Sequence, residues 1–192
     1  MAPSSSTLRL HRRQVLGGIL GAAAIGVRTA AAAVIAPPQV GPDGLWAEDF
    51  YQPTSGDLVA DAGRAAAAGK VLALFWERAG CDYGAILHLV ALRDPAIRDY
   101  LERRFYAVRL DFYGRRPVGD FGGGVLAERD LAATHAVTGT PTIEFRIADG
   151  REVYRMPGYA EPPIMRALFD YVHRAGYLAA TDAEWLGARG LL

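Results

Sequence analysis

The stretch Val71-Leu-Ala-Leu-Phe-Trp76 is apolar without interruption, and a run of that length is the mark of a strand buried on both faces. Helical patterns lie on either side of it. Asp57–Gly69 is rich in alanine, and beyond a break at Glu77–Gly80 a second helical pattern runs from Cys81 through Leu92. A strand covered on both faces and set between helices points to a layered α/β domain.

The rest of the chain continues the alternation. Asp94-Pro95 starts a third helix, with Asp94 as N-cap and proline in the first helical position, running to about Arg104. Tyr106–Asp111 is the next strand. The loop from Phe112 to Val125 contains Gly119-Asp-Phe-Gly-Gly-Gly124, which lacks the Gly-Lys-Ser/Thr ending of a phosphate loop and is expected to be a flexible connection. Ala127–Val137 reads as a helix, Thr142–Ile147 as a strand, Asp149-Gly150 as a hairpin turn and Arg151–Arg155 as the partner strand. Glu161–Arg174 is amphipathic, with Ile164, Leu168, Tyr171 and Val172 on one face. Thr181-Asp-Ala-Glu184 resembles a capping box that opens a short last helix and returns Trp185 to the body.

At 192 residues, 51% hydrophobic and 22% charged, the chain has the size and composition of one domain with one core. Residues 57–177 are expected to form it. Residues 34–56, broken by Pro37, Pro38, Pro42 and Pro53, read as a leader lying over the domain, and residues 178–192 as a C-terminal extension.

Residues 1–33 read as an address. The pair Arg12-Arg13 precedes a Gly/Ala-diluted apolar run of roughly 13 residues, shorter than the roughly 20 that a membrane-spanning helix needs. Thr29-Ala-Ala-Ala-Ala33 then offers small residues at both positions of a cleavage site. The pattern is that of a twin-arginine export signal cut near Ala33, although His11 stands where a small hydroxyl residue is usual. Such a signal carries a folded domain into a bacterial periplasm, where a lone thiol meets disulfide exchange. An uncleaved signal would be the domain's one link to a membrane.

Charge and cysteine usage exclude other classes. Arg9, Arg12, Arg13 and Arg28 stand in the address with no acid among them, so the remainder carries 17 basic residues against 21 acidic ones. A mildly acidic body without a basic stripe argues against nucleic acid as a partner. The single cysteine, Cys81, excludes a disulfide framework, a four-cysteine zinc site and an iron–sulfur cluster. His135 and His173 have no carboxylate or cysteine partner at metal spacing, so neither a metal nor any other cofactor is expected. His88, seven positions after Cys81, lies two helical turns or roughly 10 Å away, too far to act as its base, and is read as packing.

The order of elements, with Cys81 opening a helix after a buried strand and Thr140-Pro141-Thr142 preceding a strand and hairpin, resembles the thioredoxin fold over roughly Asp57–Tyr177. That fold has a central mixed sheet flanked by helices, here with an extra helix after the one that Cys81 opens. Gly80-Cys-Asp-Tyr83, His88, Asp94-Pro-Ala-Ile-Arg-Asp-Tyr100, Thr140-Pro-Thr-Ile-Glu-Phe145, Arg155-Met-Pro-Gly-Tyr159, Tyr171-Val172 and Tyr177 narrow the likeness. They are similar to the periplasmic thioredoxins of sulfur-oxidation gene clusters, the SoxW and SoxS type.

The resemblance implies a Cys-x-Tyr-Cys motif, and here the second cysteine position is Gly84. A dithiol enzyme releases its substrate by attack of the second thiol on the mixed disulfide. Without it, a mixed disulfide on Cys81 needs an external thiol. Thioredoxins also bury an aspartate before the Phe-Trp pair as proton acceptor for the second cysteine, and here that position is Leu74. The start of a helix favours a thiolate at Cys81 by roughly 0.3–1 kcal/mol, and adjacent Asp82 opposes it. The resemblance further implies a cis bond before Pro141, turning the Thr140 backbone toward the sulfur and offering it to an extended substrate. Trp76 and Tyr83 are expected to flank that surface. The expected activity is thiol–disulfide exchange through one thiol, with a protein or small disulfide as substrate and an external thiol as reductant. The alternative is a redox-inactive binding or chaperone-like module using the same groove.

Overall fold

The computed structural model describes Met1 and residues 35–192, so the twin-arginine signal lies outside the described residues. A two-stranded ribbon comes first, β1 (Gln39–Val40) antiparallel to β2 (Trp46–Ala47). Then follow α1 (Leu58–Ala67), β3 (Val71–Glu77), α2 (Asp82–Leu89), a 3₁₀ turn at Ala91–Arg93, α3 (Pro95–Arg104) and β4 (Phe105–Asp111). A second ribbon pairs β5 (Pro117–Gly119) with β6 (Val125–Ala127) and leads into α4 (Glu128–Thr134). β7 (Thr142–Arg146), β8 (Glu152–Pro157), α5 (Pro162–His173) and, after a 3₁₀ turn, α6 (Asp182–Gly187) complete the chain.

The main sheet has the order β4-β3-β7-β8. β3 is parallel to β4 and antiparallel to β7, which is antiparallel to β8, so the sheet is mixed and the fold is α/β as expected. The apolar run fits its place between two neighbours. Ala73 and Phe75 face α2, α3 and α5 in a cluster with Leu87, Leu101 and Phe169, while Leu72, Leu74 and Trp76 face α1 and α4 with Leu58, Ala62 and Leu131. Each fully buried side chain of this size contributes about 1.5–3 kcal/mol relative to exposure.

Local signals set the element ends. Asp57 caps α1 by accepting from the N–H groups of Val59 and Ala60, and Asp94 caps α3 ahead of Pro95. Thr181 and Glu184 form the reciprocal capping box of α6, which brings the Trp185 ring to 5.6 Å from that of Tyr171. In the β7–β8 turn Gly150 adopts φ +83°, and a Cβ there would lie 2.5 Å from the Phe121 ring, so no other residue fits.

Three expectations are corrected. The loop from Phe112 to Val125 is not merely a flexible connection, because Val118 of β5 is fully buried against α1 and α4 and Phe121 tucks under Gly150. The leader contributes to the core, with Leu45 and Phe50 both buried. The helix opened by Cys81 stops at Leu89 and gives way to the 3₁₀ turn, which aims the chain into α3.

Candidate active site

β3 ends at Glu77, and Gly80, at φ +65°, turns the chain so that Cys81 becomes the N-cap of α2. The Gly84 N–H donates to Cys81 Sγ at 3.4 Å, the capping bond a serine would otherwise supply. Across from it, the Cys81 thiol donates to the Thr140 carbonyl oxygen at 3.2 Å, and the Thr140 hydroxyl donates back to Sγ at 3.4 Å. The Thr140–Pro141 bond is cis. Its loop is braced on both sides, the Thr142 hydroxyl donating to Gly139 and the Gly158 N–H to Pro141. The Thr140 N–H, by contrast, is taken by no backbone carbonyl among the described residues.

The structure thus brings Cys81, Thr140 and Pro141 together, and Tyr83, in the first turn of α2, is 62% exposed. Cys81 itself is only 6% exposed. Trp76 does not join them. It is fully buried on the α1/α4 face, its indole N–H donating to Glu144 Oε2 at 2.8 Å, because it continues the inward alternation of a strand covered on both sides. It is a core residue and not part of a substrate surface.

Glu144 is the centre of a buried charged group. His135 Nδ1 lies 3.1 Å from Glu144 Oε2 and Nε2 lies 2.8 Å from Asp120, while Arg146 pairs with Glu144 Oε1. Sequence reasoning did not foresee these two carboxylate partners of His135, which come from β7 nine residues later and from the loop after β5 fifteen residues earlier. Both ring nitrogens are occupied, so His135 is a bridge. Burial opposes its charging, but Glu144 and Asp120 outweigh that and raise its pKa. Burial likewise raises the Glu144 carboxyl, and His135, Arg146 and Trp76 more than reverse this, leaving it below its ordinary value.

A second group lies on the other face, beside α2. His88 is fully buried, with Nδ1 2.9 Å from Glu48 and Nε2 2.9 Å from Glu77. Tyr51 donates to the same Glu77 oxygen, and Arg93 and Arg98 hold Glu48 at 2.5 Å and 2.9 Å. Burial works against a charged His88, and hydrogen bonds from the two carboxylates raise its pKa nonetheless. Burial and the neighbouring Glu77 push the Tyr51 hydroxyl well above its usual value. Trp46 stacks on His88 with ring centres 5.4 Å apart. Sequence reasoning missed Trp46, Glu48 and Tyr51. The signal was available in Trp46-Ala-Glu-Asp-Phe-Tyr51, too aromatic for an idle leader.

Comparison with known proteins agrees with this geometry. Residues 58–173 match the thioredoxin-like domain family, and the chain belongs to it. A thioredoxin-fold protein from Helicobacter pylori is 26% identical and superposes with a TM-score of 0.51, over 63% of this chain and 80% of that one. A candidate disulphide-isomerase from Bacteroides thetaiotaomicron is 22% identical with a TM-score of 0.52, over 72% of this chain and 98% of the other, a likeness of fold. No curated protein matches the chain.

Proposed function

We propose that this thioredoxin-like protein carries out thiol–disulfide exchange through the single thiol of Cys81, in the periplasm, after export by the twin-arginine route. The observation that carries the reading is the placement of Cys81 Sγ at a helix N-terminus, 3.2 Å from the carbonyl of Thr140 ahead of Pro141. The thiolate attacks one sulfur of a substrate disulfide, forming a Cys81–substrate disulfide and expelling the other sulfur as a thiolate. Gly84 supplies no second thiol, so an external thiolate attacks the substrate sulfur of the mixed disulfide, forming a disulfide between the external thiol and the substrate and expelling Cys81 as a thiolate. The Thr140 N–H pairs with an extended substrate, and Tyr83 lines the approach.

The Bacteroides neighbour, described as a candidate disulphide-isomerase, is consistent with this chemistry. The motifs shared with the SoxW and SoxS type suggest a host that handles reduced sulfur compounds. The test is to trap mixed disulfides on Cys81 in periplasmic extract, with Cys81→Ser as control. Adducts on the parent and none on the variant are expected. An empty trap would favour a binding module that uses the same groove without covalent chemistry.

A further inference from the structure

The leader does more than cover core. Between Asp43 and Gln52 it crosses the start of α2, tied at both ends: Arg109 binds Asp43 and the Trp46 carbonyl at 2.5 Å and 2.7 Å, and the Gln52 N–H donates to Ala107 at 2.8 Å. Gly44, at φ +79°, passes so close to the loop before Cys81 that a Cβ there would lie 2.9 Å from the Ala79 Cβ. Glu48 and Tyr51 fasten the segment to His88 and Glu77, and Phe50 is sunk into the core.

What this strap presents to the site is Trp46. Its Nε1 lies 4.0 Å from the Cβ position of Gly84, and that position is 3.7 Å from Cys81 Sγ. In a dithiol relative this is the side the second thiol occupies. Here it holds hydrogen at Gly84 and an indole beyond it, and Cys81 is left 6% exposed, with Thr140 on its other flank.

We propose that Trp46, held by the Asp43–Gln52 strap, is a specificity-determining residue of the Cys81 site, admitting disulfides no wider than an extended chain and rejecting those on broad folded surfaces. The inference rests on the thiol-exchange reading and adds a filter to it. Trp46 touches no reacting atom, and its effect is to close the Gly84 side. A narrow disulfide reaches the sulfur along the Thr140 edge, where the free backbone N–H holds it. A broad surface meets the indole first.

The experiment measures the rate of modification of Cys81 in the full folded protein by methyl methanethiosulfonate and by the same reactive group carried on the surface of a small folded protein. Trp46→Ala is expected to speed the bulky reagent by about tenfold while leaving the small one within about twofold, the scale of discrimination set by pocket shape. Glu48→Gln, which loosens the fastening and keeps the indole, should move the ratio in the same direction by less. Near-ultraviolet circular dichroism verifies folding. If both folded variants react with the small reagent and the ratio stays at the parent value, the strap filter is wrong and thiol exchange stands. If Cys81 reacts with neither reagent in any folded form, thiol exchange itself fails, and the filter with it.

Discussion

A Cβ placed on Gly84 would stand 3.2 Å from the Cβ of Cys81, one turn earlier on the same helix. Natural disulfides hold their Cβ atoms roughly 3.5–4.5 Å apart, so a shift of a few tenths of an ångström suits the pair to a bond. The site therefore keeps the geometry of a dithiol enzyme while lacking one sulfur.

Gly84→Cys should accordingly fold, close an internal disulfide and gain insulin-reducing activity that the parent lacks. Removing a helical glycine also favours the variant by up to about 0.5–1 kcal/mol. Thiol titration before and after reduction reads the bond. A folded variant with two free thiols under oxidising conditions would show that α2 departs from dithiol geometry.

Glu144, on β7, is fully buried and holds the Trp76 indole, His135 and Arg146. Glu144→Leu leaves His135 and Arg146 without their shared carboxylate, and breaking a buried pair in this way costs about 3–5 kcal/mol. Urea unfolding monitored by tryptophan fluorescence should show a midpoint shift of that size. A loss near zero would mean that the two cations find other partners.

Stability should depend on pH through the two buried histidines. His88 and His135 both hold a proton more tightly folded than unfolded, so their contribution is full below the unfolded value of about 6.5 and is lost as pH rises through the raised folded values. Glu48 and Glu144 act oppositely. Their lowered pKa values contribute stability above about 4.5 that is lost as pH falls. Urea midpoints from pH 4 to pH 9 should trace a dome. His88→Gln should flatten its alkaline limb, and a limb unchanged in that variant would remove His88 from the account.

The proposed export rests on Arg12-Arg13. Replacing both with lysine should abolish periplasmic accumulation, measured by cell fractionation. Unchanged accumulation would refute the twin-arginine reading.

How much of this was legible in the sequence depends on range. The run Val71–Trp76, the cap at Asp94-Pro95 and the Thr181–Glu184 box are local signals, and each element appears where those residues place it. Cys81 and Thr140 are 59 residues apart, and only the likeness of whole motifs joined them in advance. The polar clusters escaped because no pattern within one element joins their members: Glu48 is 40 residues from His88, and Glu144 and Asp120 reach His135 from β7 and from the loop after β5. Trp76 was misplaced for a simpler reason. An aromatic next to an active turn reads equally as surface or core, and strand alternation settles it inward.

The central claim is that Cys81, in the folded protein, exchanges with a disulfide and is released by an external thiol. Incubation with oxidised glutathione, intact-mass spectrometry, and a second spectrum after adding a free thiol test this directly. The prediction is one glutathione adduct per folded chain, located on Cys81, absent from Cys81→Ser and fully reversed by the added thiol. An adduct that forms only after denaturation would contradict the account and leave Cys81 as a buried packing residue.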